Sequence, residues 1–253
     1  MATDTVHPGQ PLKRVASLPG RRFDHLFFSI MSFVMLLTVF AGFARTYFLA
    51  GVFSAPLPNL LIHVHGAAFS CWILLLIVQT SLVSAGRIDI HRRLGIAGFL
   101  LGCSMVVLGV LAATDSLRRG GSPPNPDPKS FYIVPLTDLL VFGTLLFFAF
   151  RDRRDSPAHK RLIYIATASL LVAAFGRLPV GGATMNAHLS LAALCSEIFL
   201  LALVIYDLWS THKVHRVTLW AGVFMIFVQQ VRLPVAGTAA WQDFASWVQN
   251  MVH

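Results

Sequence analysis

Seven long apolar stretches constrain this sequence more than any other feature. A helix that crosses a membrane needs about 20 consecutive, mostly apolar residues. Backbone groups in lipid must pair within their own segment, which favours helices. The chain is 56% hydrophobic and 12% charged, whereas a soluble domain carries about 25% charged residues. We therefore predict an all-α integral membrane bundle, with spans near residues 26–49, 60–83, 94–115, 131–150, 160–178, 188–207 and 216–236.

The positions of the basic residues explain the net charge of +9. Of the 20 Lys and Arg residues, 14 fall in the N-terminal arm and in the second, fourth and sixth connections. The positive-inside rule places basic connections of this kind in the cytoplasm. We therefore predict that the N-terminus is cytoplasmic and that the C-terminus lies outside, and we predict no nucleic-acid partner.

Charge and hydropathy divide the chain into three predicted parts. Residues 1–22 form a polar cytoplasmic arm, and residues 23–237 form the seven-span domain. Residues 238–253 have apolar side chains at helical spacing with polar side chains between them, which is typical of an amphipathic helix on a membrane surface. Trp241 and Trp247 suit the interface between lipid and water. We predict that this last helix lies flat on the outer surface.

Ionisable side chains inside a bilayer are costly, so they are candidates for function. Several of them collect towards the outer ends of the spans, where they predict a polar pocket. Imidazole and carboxylate groups together suit zinc, copper or non-haem iron. Residues two apart on a helix point in nearly opposite directions, so adjacent candidates on one helix cannot both bind one ion. The predicted metal ligands are His63, His65, His188, Asp138 and Glu197.

A second group of residues at the same depth predicts binding of an anionic group, or of a lipophilic ligand. It consists of Arg45, Arg177, Arg232, Gln229, Gln230 and Trp72. A purely structural interpretation explains part of this group as well. A carboxylate at this depth needs a partner or a proton, and a buried ion pair of Asp138 or Glu197 with Arg177 or Arg232 requires no ligand.

Another set of histidines lies towards the cytoplasmic ends of the spans. His91, His159 and His215 are each followed by a basic residue, and they open the third, fifth and seventh spans. This repeated pattern predicts three helical hairpins of the same orientation after the first span. Together with His25, these histidines could supply axial ligands to haem b. The alternative is a collar of basic residues that contacts lipid headgroups.

Short motifs between residues 60 and 180 resemble a bacterial family of multipass membrane proteins to which no activity is assigned. The matching segments are His63-Val64-His65-Gly66, Gly86-Arg87, His91-Arg92-Arg93-Leu94-Gly95 and Ala158-His159-Lys160-Arg161-Leu162. The residues that we match are His63, Gln79, His91, Gly95, His159 and Arg177. The resemblance implies a multipass fold in a bacterial inner membrane. It does not extend clearly to the last two spans.

Three functions are consistent with these patterns. The first is a redox or metal-dependent protein whose outer pocket holds a transition metal or haem b. The second is a proton- or cation-coupled transporter, or a small-molecule binder, that depends on Asp138 and Glu197. The third is a structural subunit that packs against a membrane-protein partner. The sequence predicts a bilayer environment for all three, and it identifies neither a substrate nor a reaction.

Overall fold

The structure is a computed structural model that describes residues 19–54, 59–120, 127–178 and 185–251. These residues form a helical bundle. Within these ranges the chain contains no strand. Seven of the described helices are long and apolar enough to cross a membrane. The predicted all-α bundle of seven spans is therefore confirmed.

The spans follow one another as antiparallel helices. The first span is α1, which continues into a π-helical turn at Ala44–Phe48, and the fifth span is divided between two helices, α5 and α6. The bounds are α1 Pro19–Phe43, α2 Leu60–Ser84, α3 Ile88–Arg118, α4 Pro128–Arg151, α5 Ser156–Leu170, α6 Val172–Phe175, α7 Met185–Thr211, α8 Arg216–Ala236 and α9 Ala239–Met251.

Side chains at the helix starts explain several of these bounds. The Asn59 side chain accepts a hydrogen bond from the backbone N–H of Ile62 (3.0 Å) and begins α2. Asp155 accepts from the backbone N–H of Ala158 (3.2 Å) and begins α5. Such N-caps satisfy backbone donors that the helix itself leaves unpaired.

The third helix is longer than the predicted span of residues 94–115 at both ends, since it begins at Ile88 and ends at Arg118. The apolar pattern marks only the part of a helix that can lie in lipid. The segment His91-Arg92-Arg93 is too polar for that pattern, yet it forms the first turns of α3. The structure therefore places His91 on a helix, where its direction is fixed.

The fifth span lies at the centre of the bundle. In this span 67% of the apolar window is buried, more than in any other described span. Ala158, Ala166 and Ala168 are among its buried residues. Small side chains allow helices in membranes to approach closely. The core around α5 contains the fully buried side chains Phe142, Leu145, Leu162, Ile165 and Leu203.

The last helix, α9, packs against the bundle. Ala245 is buried beside the ends of α3 and α4. The indole N–H of Trp241 donates to the backbone carbonyl of Lys129 (2.9 Å), and the Lys129 ammonium donates to the Ser246 hydroxyl (2.8 Å). The predicted amphipathic segment thus forms a helix, while its position on a membrane surface stays a prediction.

We expect substitution of Gly42 by leucine to lower the free energy of unfolding by at least about 1–3 kcal/mol. A Cβ atom at Gly42 would lie 2.4 Å from the backbone carbonyl oxygen of Ala174, which is too close for any side chain. Because the obstacle is backbone, relief requires α1 and α6 to separate. Unfolding in mixed micelles of mild detergent and SDS measures the effect. The neighbouring Ala41→Leu change is the control, since Ala41 is exposed on the same helix; equal effects of the two changes would contradict this packing.

Candidate functional site

A cavity of about 630 Å³ opens at one end of the bundle, among α1 to α5. This is the end that carries the connections 85–87, 152–155 and 212–215, and we name it the basic end. The volume falls within the roughly 300–1,000 Å³ that is usual for cofactor and small-molecule sites. Most of the wall is apolar. Its side chains include Phe28, Leu75, Leu76, Ile96, Phe99, Leu146 and Phe150.

Two of the predicted inner histidines lie close together among the residues that line this cavity. His91 comes from the first turn of α3 and His159 from the first turn of α5. Their ring centres are 6.3 Å apart, and the ring planes are nearly perpendicular, at 82°. The Nδ1 atom of His159 lies 2.8 Å from the backbone carbonyl oxygen of Ala149. Since a carbonyl only accepts, Nδ1 carries the proton, and Nε2 of the neutral ring keeps its lone pair.

Polar atoms of two residues that line the cavity are buried without a protein partner. Gln79 Oε1 and His91 Nδ1 have no hydrogen-bond partner among the described residues. Both atoms have almost no accessible surface, so they lie behind the cavity surface and not at it. Gly95, one turn after His91, also lines the cavity, and a Cβ there would meet only Gln79 Nε2, at 3.7 Å. The missing side chain at Gly95 keeps this side of the cavity open.

The charged side chains that line the cavity are mainly basic. Arg92, Arg153 and Arg154 are exposed near its opening. Lys160 is paired with Asp24, and the Tyr206 hydroxyl donates to the same carboxylate (2.6 Å). The cavity therefore has four cationic side chains against one carboxylate, which favours a ligand that carries negative charge. His25, the third inner histidine, is also a lining residue.

Trp72, which the sequence assigned to the outer pocket, also lines this cavity. Its indole N–H donates to the Thr167 hydroxyl (3.2 Å), and its ring packs against Phe142. Trp72 and Gln79 are seven residues apart on α2 and contribute to the same wall. Of the residues matched in the family resemblance, four line the cavity: Gln79, His91, Gly95 and His159.

The fourth predicted inner histidine, His215, has a local structural role. Its Nδ1 atom accepts a hydrogen bond from the backbone N–H of Val217 (3.2 Å) and caps the start of α8. Partial burial, followed by the nearby Arg161 guanidinium, lowers the pKa of His215. A lowered pKa favours the neutral ring, which is the form that can accept this bond.

The predicted outer residues are distributed over separate contacts. Arg232 Nη1 donates to Asp138 (2.8 Å), and this pair is buried between α4 and α8. Gln230 donates to Glu197 (3.1 Å) on another face of α8. Gln229 donates to the Ser196 hydroxyl (3.4 Å). Asp138 is therefore paired with the Arg232 guanidinium, whereas Glu197 is paired with the side-chain amide of Gln230.

The remaining cations of the predicted outer group, Arg45 and Arg177, lie over aromatic rings. The Arg45 guanidinium is 5.3 Å from the centre of the Phe53 ring, and Arg177 is 4.2 Å from that of Phe43. Arg177 also donates to the carbonyl of Ala173 (2.6 Å). Cation–π contacts of this kind stabilise by about 0.5–1 kcal/mol at exposed sites.

The predicted outer histidines do not converge with the carboxylates among the described side chains. His63 is exposed beside Tyr47, and His65 packs on Phe69 with its ring centre 4.3 Å away. Among the described residues, no group of three or more His, Cys, Asp and Glu side chains could hold a metal ion. His188 lies on α7, but its side chain is outside the described residues. Metal binding by this set stays a prediction.

A buried carboxylate at the basic end was not among the predicted site residues. Asp207 on α7 accepts hydrogen bonds from Arg161 Nε (3.0 Å), the Thr218 hydroxyl (2.6 Å) and the backbone N–H of His215 (3.0 Å). It joins α5, α7 and α8 at this end of the bundle. The available signal was a lone carboxylate near the end of an apolar span, with Arg161 and Lys160 at the same end.

Comparisons with protein-family models, curated proteins and solved structures found no match for this chain.

Proposed function

We propose that this multipass membrane protein binds an amphipathic, negatively charged small molecule in the cavity at the basic end. One observation carries the proposal: a mostly apolar cavity of about 630 Å³ is lined by four cationic side chains against one carboxylate. Apolar walls with a few convergent polar groups are the usual composition of a ligand site. The surplus of cationic side chains favours a ligand with an anionic group.

The proposal includes an orientation. The basic end faces the cytoplasm of a bacterial inner membrane, because the N-terminal arm, the connections at this end and the helix ends beside them hold 14 of the 20 Lys and Arg residues. The ligand then reaches the cavity from the cytoplasm or from the inner leaflet. The family resemblance is consistent with this assignment, since its motif residues Gln79, His91, Gly95 and His159 line the same cavity.

Small-molecule binding is favoured over a carrier function of the outer carboxylates. Asp138 already has Arg232 as an ion-pair partner, and Glu197 has Gln230 as a hydrogen-bond donor. A proton or cation carrier needs a carboxylate that releases its partner. The local pairs therefore support a structural role for Asp138 and Glu197.

A photoreactive fatty acid tests this proposal, because it combines an apolar chain with a carboxylate. We expect its diazirine to label cavity residues such as Leu76 and Ile163 in detergent-purified protein, and we expect excess unlabelled fatty acid to compete. Replacing Gly95 by phenylalanine fills open space in the cavity. It should reduce labelling at these positions by about tenfold or more, the equivalent of about 1.4 kcal/mol of binding.

Ala97→Phe is the matched control, because Ala97 is exposed only two residues away on α3. This variant should be labelled as strongly as the unchanged protein. Labelling confined to lipid-facing positions such as Leu100 and Phe147, with no effect of Gly95→Phe, would contradict the proposed site.

A further inference from the structure

We propose that the ligand of this cavity is haem, with its iron held between His91 and His159. The inference rests on the proposed function, since it names the ligand of the same cavity. An imidazole nitrogen binds a transition metal at about 2.0–2.1 Å. Two imidazoles on opposite sides of one metal therefore have ring centres roughly 6 Å apart. The ring centres of His91 and His159 are 6.3 Å apart.

The hydrogen bond of His159 prepares this residue for ligation. Its Nδ1–H donates to the carbonyl of Ala149 (2.8 Å), which leaves the Nε2 lone pair available. Most metal-binding histidines donate their other ring N–H to a carbonyl or carboxylate in this way. His91 comes from a different helix, α3, and Gly95 on the next turn of that helix has no side chain to fill the space.

The small number of ligands favours haem over a bare metal ion. Zinc in proteins usually has three or four protein ligands, whereas no described group of three His, Cys, Asp and Glu side chains could hold an ion. Haem supplies four nitrogen ligands of its own, so two axial histidines complete the iron. The apolar walls suit the macrocycle. The side chains of Arg92, Arg153 and Arg154 near the opening suit its two carboxylates.

Hemin titration of the full, detergent-purified chain tests the inference. We expect about one haem per chain and a low-spin absorbance spectrum, because two imidazoles give a strong axial field. The ring planes at 82° predict a strongly anisotropic low-spin EPR signal, as perpendicular axial imidazoles give. His91→Ala and His159→Ala should each lose the low-spin spectrum, and added imidazole should restore it.

The exposed outer residue His63 provides the control, and His63→Ala should keep the low-spin spectrum. If an alanine variant does not fold, His91→Met replaces it. Methionine also ligates haem iron and raises the reduction potential relative to two histidines, so a raised potential supports ligation by His91. An unchanged potential, or a low-spin spectrum that survives in both alanine variants, would overturn the inference.

The fatty-acid experiment separates failure of this inference from failure of the proposed function. If the fatty-acid probe labels the cavity and Gly95→Phe abolishes this labelling, but hemin neither binds nor competes, only the haem inference is wrong. If hemin binds with a low-spin spectrum and displaces the probe, both are supported. If neither molecule reaches the cavity, both are wrong.

Discussion

Replacing Asp207 by alanine is expected to lower the free energy of unfolding by about 3–5 kcal/mol, the cost of breaking a buried ion pair from one side. The Asp207 carboxylate is fully buried. It accepts hydrogen bonds from Arg161 on α5, from Thr218 on α8 and from the backbone N–H of His215, which precedes α8. Its removal leaves the buried Arg161 guanidinium without its charge partner. Unfolding in mixed micelles of mild detergent and SDS, followed by circular dichroism, measures the change.

Asp89 offers a matched control at the same end of the bundle. It pairs with Arg87 at 3.7 Å, and both side chains are more than half exposed. Exposed pairs contribute about 0–1 kcal/mol, so Asp89→Ala should have little effect. A loss for Asp207→Ala no larger than that for Asp89→Ala would show that the carboxylate does not join these helices.

A second large effect is expected for the buried pair of Asp138 and Arg232. Substitution of Arg232 by methionine should cost about 3–5 kcal/mol, because it leaves a buried carboxylate without its partner. The guanidinium and carboxylate side chains are 1% and 8% exposed, so solvent screens their interaction little. Asp138→Leu should cost a similar amount by leaving the arginine unpaired. The same unfolding assay measures both changes.

The double variant Asp138→Leu/Arg232→Met distinguishes a paired role from two independent ones. Replacing both members of a buried pair with apolar side chains is often neutral or stabilising. The double variant should therefore recover most of the lost stability, with a coupling energy well above that of unrelated sites. Additive losses would contradict direct pairing. Retained fatty-acid labelling in the double variant would support the assignment of this pair to structure and not to ligand binding.

The number and approximate limits of the spans were predictable, because the length of an apolar stretch is a local property of the sequence. The exact residues at which the helices begin and end were less predictable. The first turns of α3 are polar, so the hydropathy pattern did not include them, although they contain His91. The division of the fifth span after Leu170 also has no counterpart in the apolar pattern.

The location of the candidate site depended on contacts between helices that the sequence does not reveal. Depth alone grouped Asp138 with Glu197, but α8 places their partners, Arg232 and Gln230, on different faces. Trp72 and Gln79 are seven residues apart on α2, and both line the cavity at the basic end. The distance between His91 and His159 depends on how α3 and α5 pack around α4. The sequence therefore predicted that both could act as ligands, but not that they lie close together.

The inner histidines illustrate the same limit. All of them lie near the starts of spans, and the sequence treated them as one set. The structure gives His215 the role of a helix cap, while His25, His91 and His159 line the cavity. Only the rotation of each helix about its axis separates these roles.

Native mass spectrometry of the gently purified protein tests directly whether the cavity holds haem, because it detects whatever small molecule the cavity retains. We expect a bound mass equal to that of haem in the unchanged protein and in Ala97→Phe, and its loss in Gly95→Phe. A different amphipathic molecule with the same pattern of loss would support the cavity and refute haem. Equal binding in all three proteins, or no bound molecule in any of them, would contradict a ligand site at the basic end.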